Sequence, residues 1–127
     1  MTAPFAAVAA VLEVYFDGLH HSDTDRLRQV FHPQAVYASA SDGTLLHRTM
    51  AAYFPIVDAR PSPASRGEAR RDCIRSIAFA GPATALATVN CAIGDRYFTD
   101  LLSLVLLDGR WQIIAKVFHA EPLAGND

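Results

Sequence analysis

The sequence predicts an α+β domain, with helices laid on one face of an antiparallel sheet. Two observations carry this. Apolar residues at helical spacing open the chain, where Phe5, Val8, Ala9, Leu12, Tyr15, Phe16 and Leu19 recur at i, i+3, i+4 and i+7. The second half reads as strands over about 71–80, 83–93, 96–107 and 110–120, punctuated by Gly81-Pro82, Gly94-Asp95 and Asp108-Gly109. At 127 residues the chain has the size of one domain with a real core.

The first helix should end near His20-His21, and Ser22 or Asp23 then caps a short second helix carrying Leu27, Val30 and Phe31. Asp23 and Asp25 fall in its first turn, where the helix dipole favours acid. Pro33 pushes His32 toward an extended conformation and stops the helix. Ala35 to Ala40 is a first strand, and Asp42-Gly43 turns it into a short return through Leu45 and Leu46. Thr49 caps a third helix from Met50 to about Asp58, which Pro55 shortens or kinks. The Pro- and Ser-rich stretch Arg60–Gly67 is a loop within the domain.

The two-residue turns set expected registers. Across Asp108-Gly109, partners sum to 217, so Leu106 faces Trp111, Leu104 faces Ile113, Asp100 faces Val117 and Phe98 faces His119. Across Gly94-Asp95 they sum to 189, so Cys91 faces Phe98 and Val89 faces Asp100. One face is then an apolar wall, with Asp100 and His119 as diagonal neighbours at its far end and Lys116 on the opposite face. That opposite face, with Leu101, Val105, Ile114 and Phe118, is too apolar to be simply solvated and suggests a partner surface. Between Ile74 and Ile77 the alternation slips by one, as at a β-bulge.

A hydrophobic fraction of 51% and a net charge of −2 describe a globular chain with no basic block for nucleic acid or anionic lipid. The N-terminus has neither a basic region nor a membrane-length apolar run, which suggests a cytoplasmic protein. Cys73 and Cys91 lack metal-ligand or disulfide spacing and are expected to be reduced. His20, His21, His32, His47 and His119 show no metal-binding spacing, and there is no Gly-rich phosphate loop or nucleophile elbow. Neither metal nor cofactor is expected.

Asp100 and His119 are the candidate catalytic pair, since a carboxylate on an oily face needs a partner and an imidazole beside it can exchange a proton near neutrality. The alternative is a structural aspartate satisfied by a neighbouring group, with His119 at the sheet rim. Tyr15, Tyr37 and Tyr53 come from different elements, and their hydroxyls either converge on a ligand or cap core rings. Cys91, on the inner face, reads as a small hydrophobe or a ligand contact.

Several strings resemble the nuclear transport factor 2-like superfamily and, within it, the family named putative lumazine-binding. They are Tyr15-Phe-Asp-Gly-Leu19, Phe31-His-Pro33, Arg60-Pro-Ser-Pro63 with Arg66-Gly-Glu68, Phe98-Thr-Asp100, Asp108-Gly-Arg-Trp111 and Lys116-Val-Phe-His119. The resemblance implies a cystatin-like cone: a strongly curved antiparallel sheet wrapped around N-terminal helices, with an internal cavity and usually a homodimer. It spans isomerases, cyclases, dehydratases and pure binding proteins, so fold alone does not select among them.

Two functions follow as expectations. The first is a small-molecule-binding protein for a planar or apolar ligand, contacted by Tyr15, Phe16, His32, Tyr37, Tyr53, Phe54, Cys91, Phe98 and Trp111, with Val89, Leu102 and Val117 completing the cavity. The second is an isomerase, cyclase or dehydratase that uses Asp100 and His119 as acid and base on a carbonyl substrate. A homodimer through the outer sheet face accompanies both.

Overall fold

The computed structural model describes residues 3–123. Helix α1 (Pro4–His21) starts on a proline, whose fixed φ suits a first turn, and stops where Ser22 adopts a left-handed conformation and donates its N–H to Leu19. Asp23 caps α2 (Thr24–Val30) by accepting from the Arg26 N–H. The chain enters strand β1 (Phe31–Ser39) directly, so the strand begins before Pro33 rather than after it. Strand β2 (Leu46–Thr49) returns, and Thr49 caps α3 (Met50–Ala59), which runs through Pro55. After a single 3₁₀ turn (Ala64–Arg66) come β3 (Cys73–Phe79), β4 (Thr84–Ile93), β5 (Arg96–Leu107) and β6 (Arg110–Pro122).

The strands form one curved sheet in the order β2-β1-β6-β5-β4-β3. It is mixed rather than wholly antiparallel, because β1 lies parallel to β6. The helices cover one face, and Val8, Leu12, Tyr15 and Phe16 of α1 pack with Ala87, Val89, Leu102, Leu104 and Ile113 of the sheet in a filled core. No helix among the described residues is long and apolar enough to cross a membrane.

Both turns behave as their residues require. Asp108 and Gly109 both take positive φ, the signature of a type I′ turn, whereas at Gly94-Asp95 only the glycine does. The β4–β5 register holds along its whole length, with Val89 opposite Asp100 and Cys91 opposite Phe98. The β3 slip is present between Ile74 and Ser76.

The β5–β6 register holds only near the turn. Leu106 faces Trp111 and Leu104 faces Ile113, but Ser103 then faces Ala115, leaving Ile114 as an extra residue on β6. Beyond this bulge every β6 side chain changes face. Lys116 and Phe118 therefore point inward and are buried, while Val117 and His119 point outward and are exposed. The expected pairs Asp100 with Val117 and Phe98 with His119 are replaced by Asp100 with Phe118 and Phe98 with Ala120.

Candidate functional site

The face change dissolves the Asp100–His119 pair. His119 sits opposite Thr99 on the outer face, 4.0 Å from Glu121, with 59% of its side chain exposed. Asp100 is fully buried and has two other partners. The Tyr15 hydroxyl donates to its Oδ2 at 2.6 Å, and the Lys116 ammonium lies 4.0 Å from the same oxygen. Its second oxygen, Oδ1, is buried with no hydrogen-bond partner among the described residues.

Lys116 is enclosed by aromatic rings from four elements. Its Nζ lies 5.2 Å from the ring centre of Tyr15 on α1, 5.4 Å from Tyr37 on β1, 5.5 Å from Tyr53 on α3 and 5.4 Å from Phe118 on β6. Tyr37 and Tyr53 stack at 4.5 Å, and Tyr37 reaches Lys116 because the two are partners in the parallel β1–β6 ladder. Ring faces carry negative quadrupoles, so the cage is matched to a cation. Burial on its own lowers the pKa of Lys116, but Tyr53, Asp100 and Tyr37 more than offset it and hold the amine above its ordinary value. The ammonium is charged at neutral pH, which makes it a poor amine nucleophile and a strong fixed positive charge. Burial, then Asp100, raises Tyr15 well above a normal tyrosine, so its hydroxyl stays protonated as a donor. Burial, then Asp100, pushes the Cys91 thiol up to about 12, which makes it inert.

The cavity is not where an apolar interior was expected. The centre of the fold is packed, and a cleft of about 400 Å³ opens at the end of the sheet where β5 begins and β6 finishes, one of several surface openings of similar size. Tyr37, Phe98 and Phe118 give it aromatic walls, and the β1–β2 connection forms its lip with Ser41, Asp42 and Leu45. Ser41 is held there by accepting the Ala120 N–H at 2.9 Å. Arg60 and Arg96 also line it. Because Tyr37 and Phe118 belong both to the cleft wall and to the Lys116 cage, they separate the buried Asp100–Lys116 pair from the opening.

Of the expected contact residues, the structure brings Tyr37 and Phe98 to the cleft. Tyr15 and Tyr53 lie buried behind it, holding Asp100 and stacking on Tyr37 respectively. Phe16 and Cys91 are core residues, and Phe54 borders a separate groove with Arg28 and Pro55. Trp111 is at the opposite end of the β5–β6 hairpin, packed 5.8 Å from Phe79. His32 spends its Nδ1 accepting the Gln34 N–H, and Val117 faces outward. Sequence reasoning missed Lys116, which the turn-derived register assigned outward. It also assigned no role to Arg60, which entered only as the first residue of the family-like string Arg60-Pro-Ser-Pro63 at the end of the helix that carries Tyr53.

The chain belongs to the putative lumazine-binding family, whose profile matches residues 3–119. Its fold is that of the nuclear transport factor 2-like proteins. One such protein of unknown function, from Shewanella baltica OS155, superposes with a TM-score of 0.82 at 26% identity, covering 96% of this chain and 99% of that one. Another, from Silicibacter pomeroyi DSS-3, gives 0.80 at 24% identity over 92% and 95%. A ketosteroid isomerase-like protein from Erwinia carotovora atroseptica shares the fold alone, with a TM-score of 0.72 at 9% identity, over 94% and 98%. Among curated proteins, the aldolase FrzH of a Cladobotryum species is 26% identical over 123 residues, which is 95% of this chain and 94% of that protein.

Proposed function

We propose that this protein binds a small, flat molecule in the cleft between the β1–β2 lip and the ends of β5 and β6. The observation that carries this reading is the wall of Tyr37, Phe98 and Phe118 on about 400 Å³, faced by a polar side of Ser39, Ser41, Asp42, Thr44, Arg60 and Arg96. That is the composition of a site that takes a ring by its faces and orients it by its edge. Membership of the putative lumazine-binding family agrees with a flat heterocycle as one candidate. A thermal-shift and calorimetric screen of lumazine, flavins and flat polyketide-like compounds tests it. Phe98→Ala should weaken any hit about tenfold or more, and Leu101→Ser on the opposite face should leave it unchanged. Equal affinity in Phe98→Ala would move the site elsewhere.

A second reading is catalysis in the same cleft, with proton abstraction beside a carbonyl or an aldol-type step. It is favoured by the likeness to FrzH and by the free oxygen of Asp100 beside a fixed ammonium. In this reading Asp100 is the base and Lys116 stabilises the enolate as a cation, its charged state disfavouring a Schiff base. Tyr37 and Phe118 must part to admit substrate. Deuterium exchange at the α-carbon of cleft-binding ketones, abolished in Asp100→Asn, would support it, and exchange that survives in that variant would refute it.

We also propose that two copies meet through the outer sheet face, where Leu101 and Val117 are partners across β5–β6 and are 45% and 47% exposed.

A further inference from the structure

Arg60 follows the last turn of α3, donates its backbone N–H to Val57, and lines the cleft. Its Nε and Nη2 are closed to solvent and have no hydrogen-bond partner among the described residues, so a ligand in the cleft meets them once the side chain turns toward it. These two nitrogens share one edge of the guanidinium, the edge that meets a carboxylate with two parallel hydrogen bonds. Desolvated charged donors without acceptors are costly, and the cost is recovered when an acceptor of matching shape arrives. The charges around the cleft select the sign of that acceptor. Arg96 also lines the cleft, its guanidinium 5.8 Å from the Phe98 ring, and Arg48 lies 5.7 Å from the Tyr37 ring. Among the described residues Asp42 is the one carboxylate on the cleft wall, and it is exposed and accepts the Thr44 N–H. Asp100, behind the wall, is matched by Lys116.

We propose that the ligand is a flat conjugated carboxylate, its ring against Tyr37, Phe98 and Phe118 and its carboxylate on the Nε–Nη2 edge of Arg60. The inference rests on the cleft reading above and adds the ligand's charge and polarity. The sequence holds no Gly-rich loop to add the backbone donors of a phosphate cradle.

Calorimetric titration with 2-naphthoate and its neutral isostere 2-naphthamide separates the two claims. The protein should bind the acid at least about tenfold more tightly than the amide. Arg60→Gln and Arg60→Lys should both lower the affinity for the acid about tenfold and change that for the amide far less, since lysine keeps the charge but loses the fork. Equal binding of acid and amide by the unmodified protein would overturn the carboxylate assignment and leave the cleft reading standing. Full retention of acid binding in Arg60→Lys would overturn the bidentate role. Failure of both probes to bind would overturn this proposal, and the wider ligand screen would then decide the cleft reading separately.

Discussion

At Lys116 burial and charge act against each other. An ammonium at 5% exposure is stable only because Asp100 and four rings replace water. Removing one member of such a pair leaves an uncompensated buried charge, at a cost of about 3–5 kcal/mol. Asp100→Asn and Lys116→Met should each lower urea stability on that scale. The double variant should lose less than the two losses added together, with a coupling of at least about 1 kcal/mol. Strictly additive losses would mean the pair does not interact. The same residues set the alkaline behaviour. Lys116, Tyr15 and Cys91 all have pKa values raised above their ordinary 10.5, 10.0 and 9.0. Above those ordinary values the folded state therefore holds protons that the unfolded chain releases. Stability should be level from about pH 7 to 8.5 and fall as pH rises further, and Lys116→Met should flatten the fall above pH 10.5. A stability that rises on the alkaline side would contradict the assignment.

At the scale of elements, the helix caps and both hairpin turns were legible because each rests on local chemistry: Asp23 and Thr49 as caps, and Gly94 and Asp108-Gly109 as turns that need positive φ; the stop of α2 was not, since the strand takes over at Phe31, before Pro33. The bulge at Ile114 was not legible. It falls within Ile113-Ile114-Ala115, where three consecutive apolar residues erase the alternation that would reveal which one is extra. One hidden residue moved Lys116 in and His119 out, so the aspartate was found from sequence and its partner was not. Arg60 escaped for a different reason, since a loop arginine beside prolines has no period to place it. Packing between helices makes its own prediction. A Cβ on Gly18 would come within 2.6 Å of Leu27 Cδ2, and Leu27 is fully buried. Gly18→Ala should therefore destabilise by about 1–2 kcal/mol, because overpacking outweighs the helix propensity gained. In a Leu27→Ala background the same change should be neutral or stabilising. Chemical denaturation of the four proteins decides between packing and propensity.

Over the whole molecule, the parallel β1–β6 pairing gathers the site. It brings Tyr37 beside Lys116, and with Tyr15 from α1 and Tyr53 from α3 it joins residues up to about a hundred positions apart in sequence into one cage. No local pattern announces that pairing, since parallel neighbours need no turn between them. The opposite face of the sheet leaves Leu101 and Val117 exposed, where the proposed dimer would form. Sedimentation should find a dimer at micromolar concentration that Leu101→Asp with Val117→Asp converts to a monomer, while a monomeric unmodified protein would remove the outer-face interface. The measurement that bears most directly on function is a backbone NMR titration with 2-naphthoate and with lumazine. Shifts centred on Tyr37, Leu45, Arg60, Phe98 and Phe118 are the result predicted for a ligand in the cleft. Shifts centred instead on the separate groove at Arg28, Phe54 and Pro55, or shifts at neither place, would contradict it.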